Sequence, residues 1–414
     1  LDITGKVEGP WVRLSHPRTY YADGSGGLYG AYPQNAQGMV EEAVLGAANY
    51  VDFAQYDGNG DGYVDYLIVV HSGSGRETSR GVLDIHSHTW TTARDVVVDG
   101  VRVSTYSTVP EDCQIGVCAH EFGHQLGLPD LYTSVGSGIG LFSLMATGAW
   151  GGVVAEGDHP THLDPWCKTR VGFLHPTVVT RNQLTASLPP VELTPTVWKL
   201  WTIGAPASEY FLVENRQYIG QDNVHPTLSR RGLPNAGFVI YHIDDGVPGN
   251  LQPAGQDTFP HLQVAVVEAD GDTLGKGTIN TAGSDWGSPS DVFGVPPRGV
   301  VMWDRASVPS SLGYNRVDTQ VALRAMHLSG TTAIADVEVA NAPALQGGGI
   351  VVQSNGASSA GVLYAGEQAT LLPRVRNRGL AASGVTARLS VVDPYATSSG
   401  GVVQVGAVPG DSVV

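Results

Sequence analysis

The stretch His120-Glu121-Phe122-Gly123-His124-Gln125-Leu126-Gly127-Leu128-Pro129-Asp130 constrains this chain more than any other. On a helix, His120 and His124 stand four residues apart and share a face, so two imidazoles meet one metal ion. Glu121 lies about 100° round the helix from His120, off the ion's inner shell but within reach of a water beside it. Gly127 accepts the left-handed conformation that stops a helix. Pro129 lacks the amide donor needed to continue one. The chain therefore turns and can swing Asp130 back as a third ligand. Two imidazoles and one carboxylate leave a fourth tetrahedral position for water, the pattern of a catalytic zinc rather than a structural one.

A bare His-Glu-x-x-His also arises by chance in helices; the extension through Gly127 and Asp130 is what makes this one specific. A second element follows in Ser143-Leu144-Met145-Ala146-Thr147-Gly148, a small-residue turn around one of only four methionines. A methionine in a turn is ordinarily core filler. In zincins of the metzincin type, however, a methionine turn lies beneath the metal and supports its ligands. Its place downstream of an extended zinc motif marks Met145 for that supporting role.

The 414 residues suffice for two or three domains, and 42% apolar content places the chain among folded globular proteins. The formal charge of −16, from 39 acidic and 23 basic residues, argues against nucleic acid, whose phosphates need a basic surface. No run of 18 apolar residues is present, so no membrane span is expected. The chain begins at Leu1 without Met, as expected of a processed chain from which targeting information has been removed. Of the three cysteines, Cys113 and Cys118 are close enough in sequence to bridge, Cys118 with Cys167 is an alternative, and three buried thiols are a third.

Short Val/Ile/Thr/Tyr runs between turn signals, with 54 Gly and 25 Pro, give a strand-rich chain with few helices. A helix is expected over Ala36–Asn49, with Val40, Ala43, Val44 and Ala47 inward and Glu41 and Glu42 facing away. A strand apolar enough to lie inside a sheet follows at Tyr63–Val70. Asp99-Gly100 should turn a hairpin between Val96–Val98 and Val101–Tyr106. The helix of the metal motif spans about Gln114–Leu126, and another starts at Asp164 with Pro165 in its first position. Strands are expected at Tyr210–Val213, Phe238–His242, Leu262–Val267, Val300–Trp303 and Ile334–Val339. Gly347-Gly348-Gly349 reads as a linker. Beyond it, Ala369–Arg376 and Val385–Val392 are the best strands of a short module, smaller than the roughly 100 residues of a full β-sandwich. The expected units are 1–176, 177–340 and 341–414.

Asp57, Asn59, Asp61 and Asp65 place side-chain oxygens at positions 1, 3, 5 and 9 of a loop, with Gly62 at the turning position and the Tyr63 carbonyl at position 7. That pattern suits calcium. Ile68 stands where an EF-hand has its bidentate Glu, so another carboxylate or water must complete the shell. Asp270-Gly271-Asp272, helped by Glu268, Asp285 or Asp291, is a weaker cation signal that a polar turn explains slightly better. His71, His86 and His88 are read as polar core residues and not as ligands. His159 and His162 are candidates for transition-state hydrogen bonding, on no spacing argument.

Gly116-Val117-Cys118-Ala119 running into His120–Tyr132, then Gly138-Ile139-Gly140 and Ser143–Trp150, resemble secreted bacterial metalloproteases of the immune inhibitor A family. The aspartate-rich loop with Ile68–Gly73, Ser87-His88-Thr89-Trp90 and Tyr210–Arg216 are similar to that family too. The resemblance spans about residues 15–340. It implies an α+β, zincin-type catalytic domain with a mixed sheet, active-site helices and a metzincin-like Met-turn. A β-rich subdomain packed on it and a C-terminal β-sandwich module would follow. His120, His124 and Asp130 match the zinc ligands and Glu121 the general base, and the loop at 57–65 implies calcium. Gly75-Arg76-Glu77 departs from the acidic residues the family carries after His71.

The resulting expectation is a secreted, extracellular zinc endopeptidase, made as a zymogen, in which Glu121 activates a zinc-bound water against peptide bonds of protein substrates. No nucleic-acid partner is expected, and the C-terminal module is left to bind a surface or to pack within the chain. Two rivals stand beside it: a calcium-stabilised adhesion or binding protein with a vestigial zinc site, and a zinc amidase acting on cell-wall peptides. Retention of Glu121 beside both histidines disfavours the first, since a structural zinc needs no base.

Overall fold

The computed structural model describes residues 5–134, 136–224, 231–251, 261–271, 279, 285–340, 343, 345–354, 366–377, 381–390, 397, 401–409 and 412–414. The chain is mixed α/β, mostly sheet with few helices. The first part holds α1 (Arg18–Ala22), α2 (Ala36–Ala47), β1 (Ile68–His71), α3 (Arg76–Ser79), β2 (His88–Val98), β3 (Val101–Pro110), α4 (Ile115–Gln125) and α5 (Pro165–Arg170). Its sheet has the order β1-β3-β2, with β1 parallel and β2 antiparallel to β3. Asp99 and Gly100 turn the hairpin with φ of 51 and 83, the positive pair that a two-residue hairpin loop requires.

Neighbouring residues on a strand point to opposite faces, and β3 uses this to separate two layers. Tyr106 enters the apolar core with Met39, Val40 and Val44 of α2. Ser107 faces the other way and bonds the Glu121 carbonyl of α4 at 3.2 Å. The Gln125 side chain pins the end of α4 to the chain entering β1, donating to the Leu67 carbonyl at 2.7 Å and accepting from its amide at 3.2 Å.

Two expectations are corrected here. Glu41 does not face away: it is buried and accepts from the Ala93 amide at 2.8 Å, the Tyr32 hydroxyl at 2.9 Å and Arg94 Nε at 3.1 Å. A carboxylate with that many donors can be buried at low cost, which helical periodicity alone does not reveal. The strand expected over Tyr63–Val70 is only Ile68–His71 and sits at a sheet edge, with Ile68 42% and Val70 48% exposed. Tyr63, within the loop at 57–65, makes an isolated bridge to Arg102.

The second part contains β4 (Thr177–Val178), β5 (Gln183–Leu188), β6 (Trp198–Leu200), β7 (Glu209–Arg216), β8 (Gly237–Asp244), β9 (Val264–Val266), β10 (Ala322–Ser329) and β11 (Thr332–Glu338). They form a five-stranded sheet, β4-β6-β7-β8-β9, and a three-stranded one, β10-β11-β5. Val300–Trp303 is no strand; Trp303 makes only a bridge to Leu323. One face of the larger sheet packs on the smaller through Phe211, Phe238, Trp303 and Leu323. The other face shares a core with the end of the first part: Leu128, Leu131, Met145 and Trp166 lie in one cluster with Leu212, Tyr241 and Val264. The apolar packing is therefore continuous across residue 177.

The last segment has β12 (Leu345–Ser354), β13 (Ala369–Asn377), β14 (Ala382–Arg388), β15 (Val402–Val408) and β16 (Ser412–Val413) around a small cluster of Val375, Ala382, Val385 and Val408. Gly347–Gly349, expected as a linker, lie within β12, where the register shifts between Gly347 and Ile350. The end of the strand expected to Val392 falls outside the described residues. Among the described residues no helix is long and apolar enough to cross a membrane.

Candidate metal centre

Helix α4 runs from Ile115 to Gln125, capped by Gln114 and Leu126, within a residue of the sequence expectation. Gly127 takes φ 84. Its amide bonds the His124 carbonyl at 2.9 Å, and the Leu128 amide bonds the Gly123 carbonyl at 3.1 Å. This pair of bonds is the Schellman ending, which glycine makes without steric cost. The turn aims the Leu128 carbonyl at Nδ1 of His124, 2.8 Å away. The segment around Met145 does the same for the other ring, with the Leu144 carbonyl 2.9 Å from Nδ1 of His120.

A carbonyl only accepts, so each Nδ1 carries the proton and each Nε2 presents a lone pair. The two Nε2 atoms are 3.1 Å apart, and Oδ1 of Asp130 is 3.2 Å from each. Ligands about 2.0–2.1 Å from a tetrahedral zinc are separated by roughly 3.3 Å, so the triangle fits that ion. Three converging lone pairs repel one another unless a cation or proton lies between them. Burial alone would raise the Asp130 pKa, but hydrogen bonding and charge from His120 and His124 outweigh it and hold the carboxyl well below its usual range. Burial likewise works against a charged His124, and the Asp130 carboxylate more than reverses this, raising that pKa.

Glu121 is 6% exposed. Burial lifts its pKa, opposed by the positive potential of His120 and His124 and by a hydrogen bond from Thr89. Thr89 Oγ1 lies 3.0 Å from Oε2 and 2.8 Å from the main-chain oxygen of Glu121. Beneath the helix, Met145 is fully buried with its sulfur against Gly123, where a Cβ would come within 2.5 Å of Sδ. The Met145 carbonyl accepts from the Leu131 amide at 2.8 Å, beside the third ligand.

Two contributors escaped the sequence reading. Thr89 lies 32 residues before Glu121, and only the pairing of β2 with β3 brings it there. Burial and the neighbouring Asp130 charge push the Tyr132 hydroxyl pKa up, and its ring is near-parallel to that of His120, with centroids 6.4 Å apart. Its position two residues after Asp130 was the available signal.

Other candidates lie elsewhere. Among the described residues, His71, His86 and His88 do not join the metal cluster. Their Nδ1 atoms face the carbonyls of Ser72, Ser87 and His86. His162 lies among Lys168, Arg216 and Asp222, where burial and the two cations lower its pKa to about 4. Asp57 and Asp61 turn their carboxylates onto amides of their own loop, Asp57 on Asp61 and Gly62 and Asp61 on Tyr63. Asp65 accepts from Gly58, while Asn59 accepts from and donates to Asp61. Glu268, Asp270 and Asp291 form a compact carboxylate group, while Asp272 falls outside the described residues. Cys113, just ahead of α4, is bonded to Cys118 within it, and Cys167 is a buried free thiol.

Comparison with known proteins agrees with this geometry. Residues 1–173 match the catalytic domain of the immune inhibitor A peptidase M6 family. This part of the chain is thus similar to a metallopeptidase catalytic domain. It is 33% identical over 201 residues to the pre-pro-metalloprotease PrtV of Vibrio cholerae serotype O1 (strain M66-2), covering 40% of this chain and 22% of that protein. It is 34% identical over 179 residues to immune inhibitor A of Bacillus thuringiensis subsp. alesti, covering 35% of this chain and 26% of that protein. The chain thus spans about a quarter of the length of the curated relatives it matches.

Proposed function

We propose that this chain is the catalytic part of a secreted zinc endopeptidase that hydrolyses peptide bonds in extracellular proteins. The observation that carries this reading is the triangle of His120 Nε2, His124 Nε2 and Asp130 Oδ1 with edges of 3.1, 3.2 and 3.2 Å, beside the buried carboxylate of Glu121. Those three residues would hold zinc, which when bound supplies a Lewis acid for the carbonyl and acidifies water. Glu121 takes the proton of the attacking water and delivers it to the leaving amine. Thr89 orients that carboxylate. Met145 acts as the supporting Met-turn.

The precursor-type name of the Vibrio relative supports an exported protein made as a zymogen. Asp57, Asn59, Asp61, the Tyr63 carbonyl and Asp65 make a structural calcium loop, its side chains free to exchange amide partners for the ion. Residues 341–414 form a small β-sandwich module beside the 177–340 subdomain.

The test is Glu121→Gln in the full chain. Proteolysis of casein should fall by about 10²–10⁴-fold while zinc content stays at the wild-type level. Near-normal cleavage by the variant would end the assignment of Glu121.

A further inference from the structure

The metal centre is joined to a buried ionic cluster in the part of the chain beyond residue 173. Arg216, at the end of β7, is wholly buried. Its Nε donates to Asp222 Oδ2 at 2.6 Å, and Nη1 donates to Glu214 Oε1 at 3.0 Å. The same Nη1 lies 3.0 Å from the Phe142 carbonyl. Asp222, also wholly buried, uses its other oxygen to accept from the His162 amide at 2.9 Å. The His162 carbonyl in turn accepts from the Leu144 amide at 3.2 Å, and the Leu144 carbonyl accepts from Nδ1 of His120 at 2.9 Å.

We infer that Arg216 and Asp222 are positioning residues of the metal centre, fixing the 142–145 segment that orients His120 and abuts Asp130. This rests on the zinc reading above. Two anchors hold the segment from below, Arg216 on Phe142 and Asp222 through His162 on Leu144. Either anchor alone would leave the Leu144 carbonyl free to tilt. A guanidinium suits this place because its planar fork serves the carboxylates and a carbonyl together, which a lysine ammonium cannot reproduce. The full burial of both charges has a purpose on this account: it adds to the Ser143–Asp164 bond at 2.7 Å in fixing one arrangement of the turn. The unit matched to the family's catalytic domain thus depends on residues outside it for the set of its ligands.

The experiment measures zinc affinity of the full chain by competition with a chromophoric chelator, together with kcat, KM and thermal melting. The variants are Asp222→Asn, Asp222→Ala and Arg216→Lys. Asp222→Asn keeps the acceptor for His162 but loses the charge facing Arg216, so it should weaken zinc less than Asp222→Ala. Loss of such outer partners should raise the zinc dissociation constant about 10–100-fold, with kcat falling and KM little changed. Leu323→Ala, in the core between the two sheets of the second part, should lower the melting temperature and leave zinc affinity unchanged. If Asp222→Ala does not fold, the milder Asp222→Asn and Arg216→Lys carry the comparison. Variants that melt early yet bind zinc like the wild type would overturn the positioning role. A wild type that binds no zinc would instead contradict the zinc reading.

Discussion

The main-chain carbonyl of Leu144 meets Nδ1 of His120 at 2.9 Å, so a residue 24 positions downstream sets the tautomer of the first histidine of the motif. The Leu128 carbonyl does the same for His124. Both Nε2 lone pairs are thereby committed to the site before any ion arrives, an economy of reorganisation that favours tight binding.

Glycines around α4 should separate packing from backbone strain. A Cβ at Gly123 would meet Met145 Sδ at 2.5 Å inside a closed core, so Gly123→Ala should cost about 1–3 kcal/mol and weaken zinc as the methionine shifts. A Cβ at Gly127 meets nothing within 4 Å, but φ is 84 there. Gly127→Ala should therefore cost about 1–2 kcal/mol through strain alone. Chemical denaturation alongside zinc titration would check both; equal zinc affinity in Gly123→Ala and wild type would contradict the supporting role of Met145.

Thr89→Val removes the hydroxyl beside Glu121 while keeping the shape of a β-branched strand residue. We expect kcat to drop roughly tenfold with KM near the wild-type value, as for loss of other outer partners of a metal centre. A drop in zinc content instead would show that Thr89 supports the ligands and not the base.

The buried Glu268 and Asp291 pair should lower stability as pH rises. Burial, reinforced by the Asp291 carboxylate, pushes Glu268 up to about 9, and burial pushes Asp291 up to about 7. Their unfolded values lie near 4.5 and 3.8. Between those limits the folded chain holds protons that the unfolded chain has released, so the contribution is complete below about pH 4 and is lost as pH climbs towards 9. Urea midpoints measured from pH 7 to 9 in a divalent-free buffer, above the range in which buried His88 and His162 exchange protons on unfolding, should decline, and Glu268→Gln should flatten the decline. An identical slope in the variant would rule the pair out as its cause.

The site was legible where its logic is local. His120, His124, Gly127 and Asp130 sit within one helix and one turn, so spacing and backbone preference placed them together. The hairpin at Asp99-Gly100 was readable for the same reason. Periodicity failed at Glu41, whose burial depends on donors from Tyr32, Ala93 and Arg94 that only the folded chain assembles. It also overran at Tyr63–Val70, where apolar content matched an inner strand but the described sheet places β1 at its edge. Thr89 and Arg216 could not be found by spacing at all, because their partners come from strand register and from a second sheet.

On the reading proposed above, His120, His124 and Asp130 together grip one zinc ion. Zinc per chain, measured by elemental analysis after gel filtration of wild type and Asp130→Ala, tests it directly. The wild type should carry one ion, and the variant should show a dissociation constant at least about tenfold weaker. A wild type without zinc, or a variant that retains it equally well, would show that these three side chains do not form a zinc site.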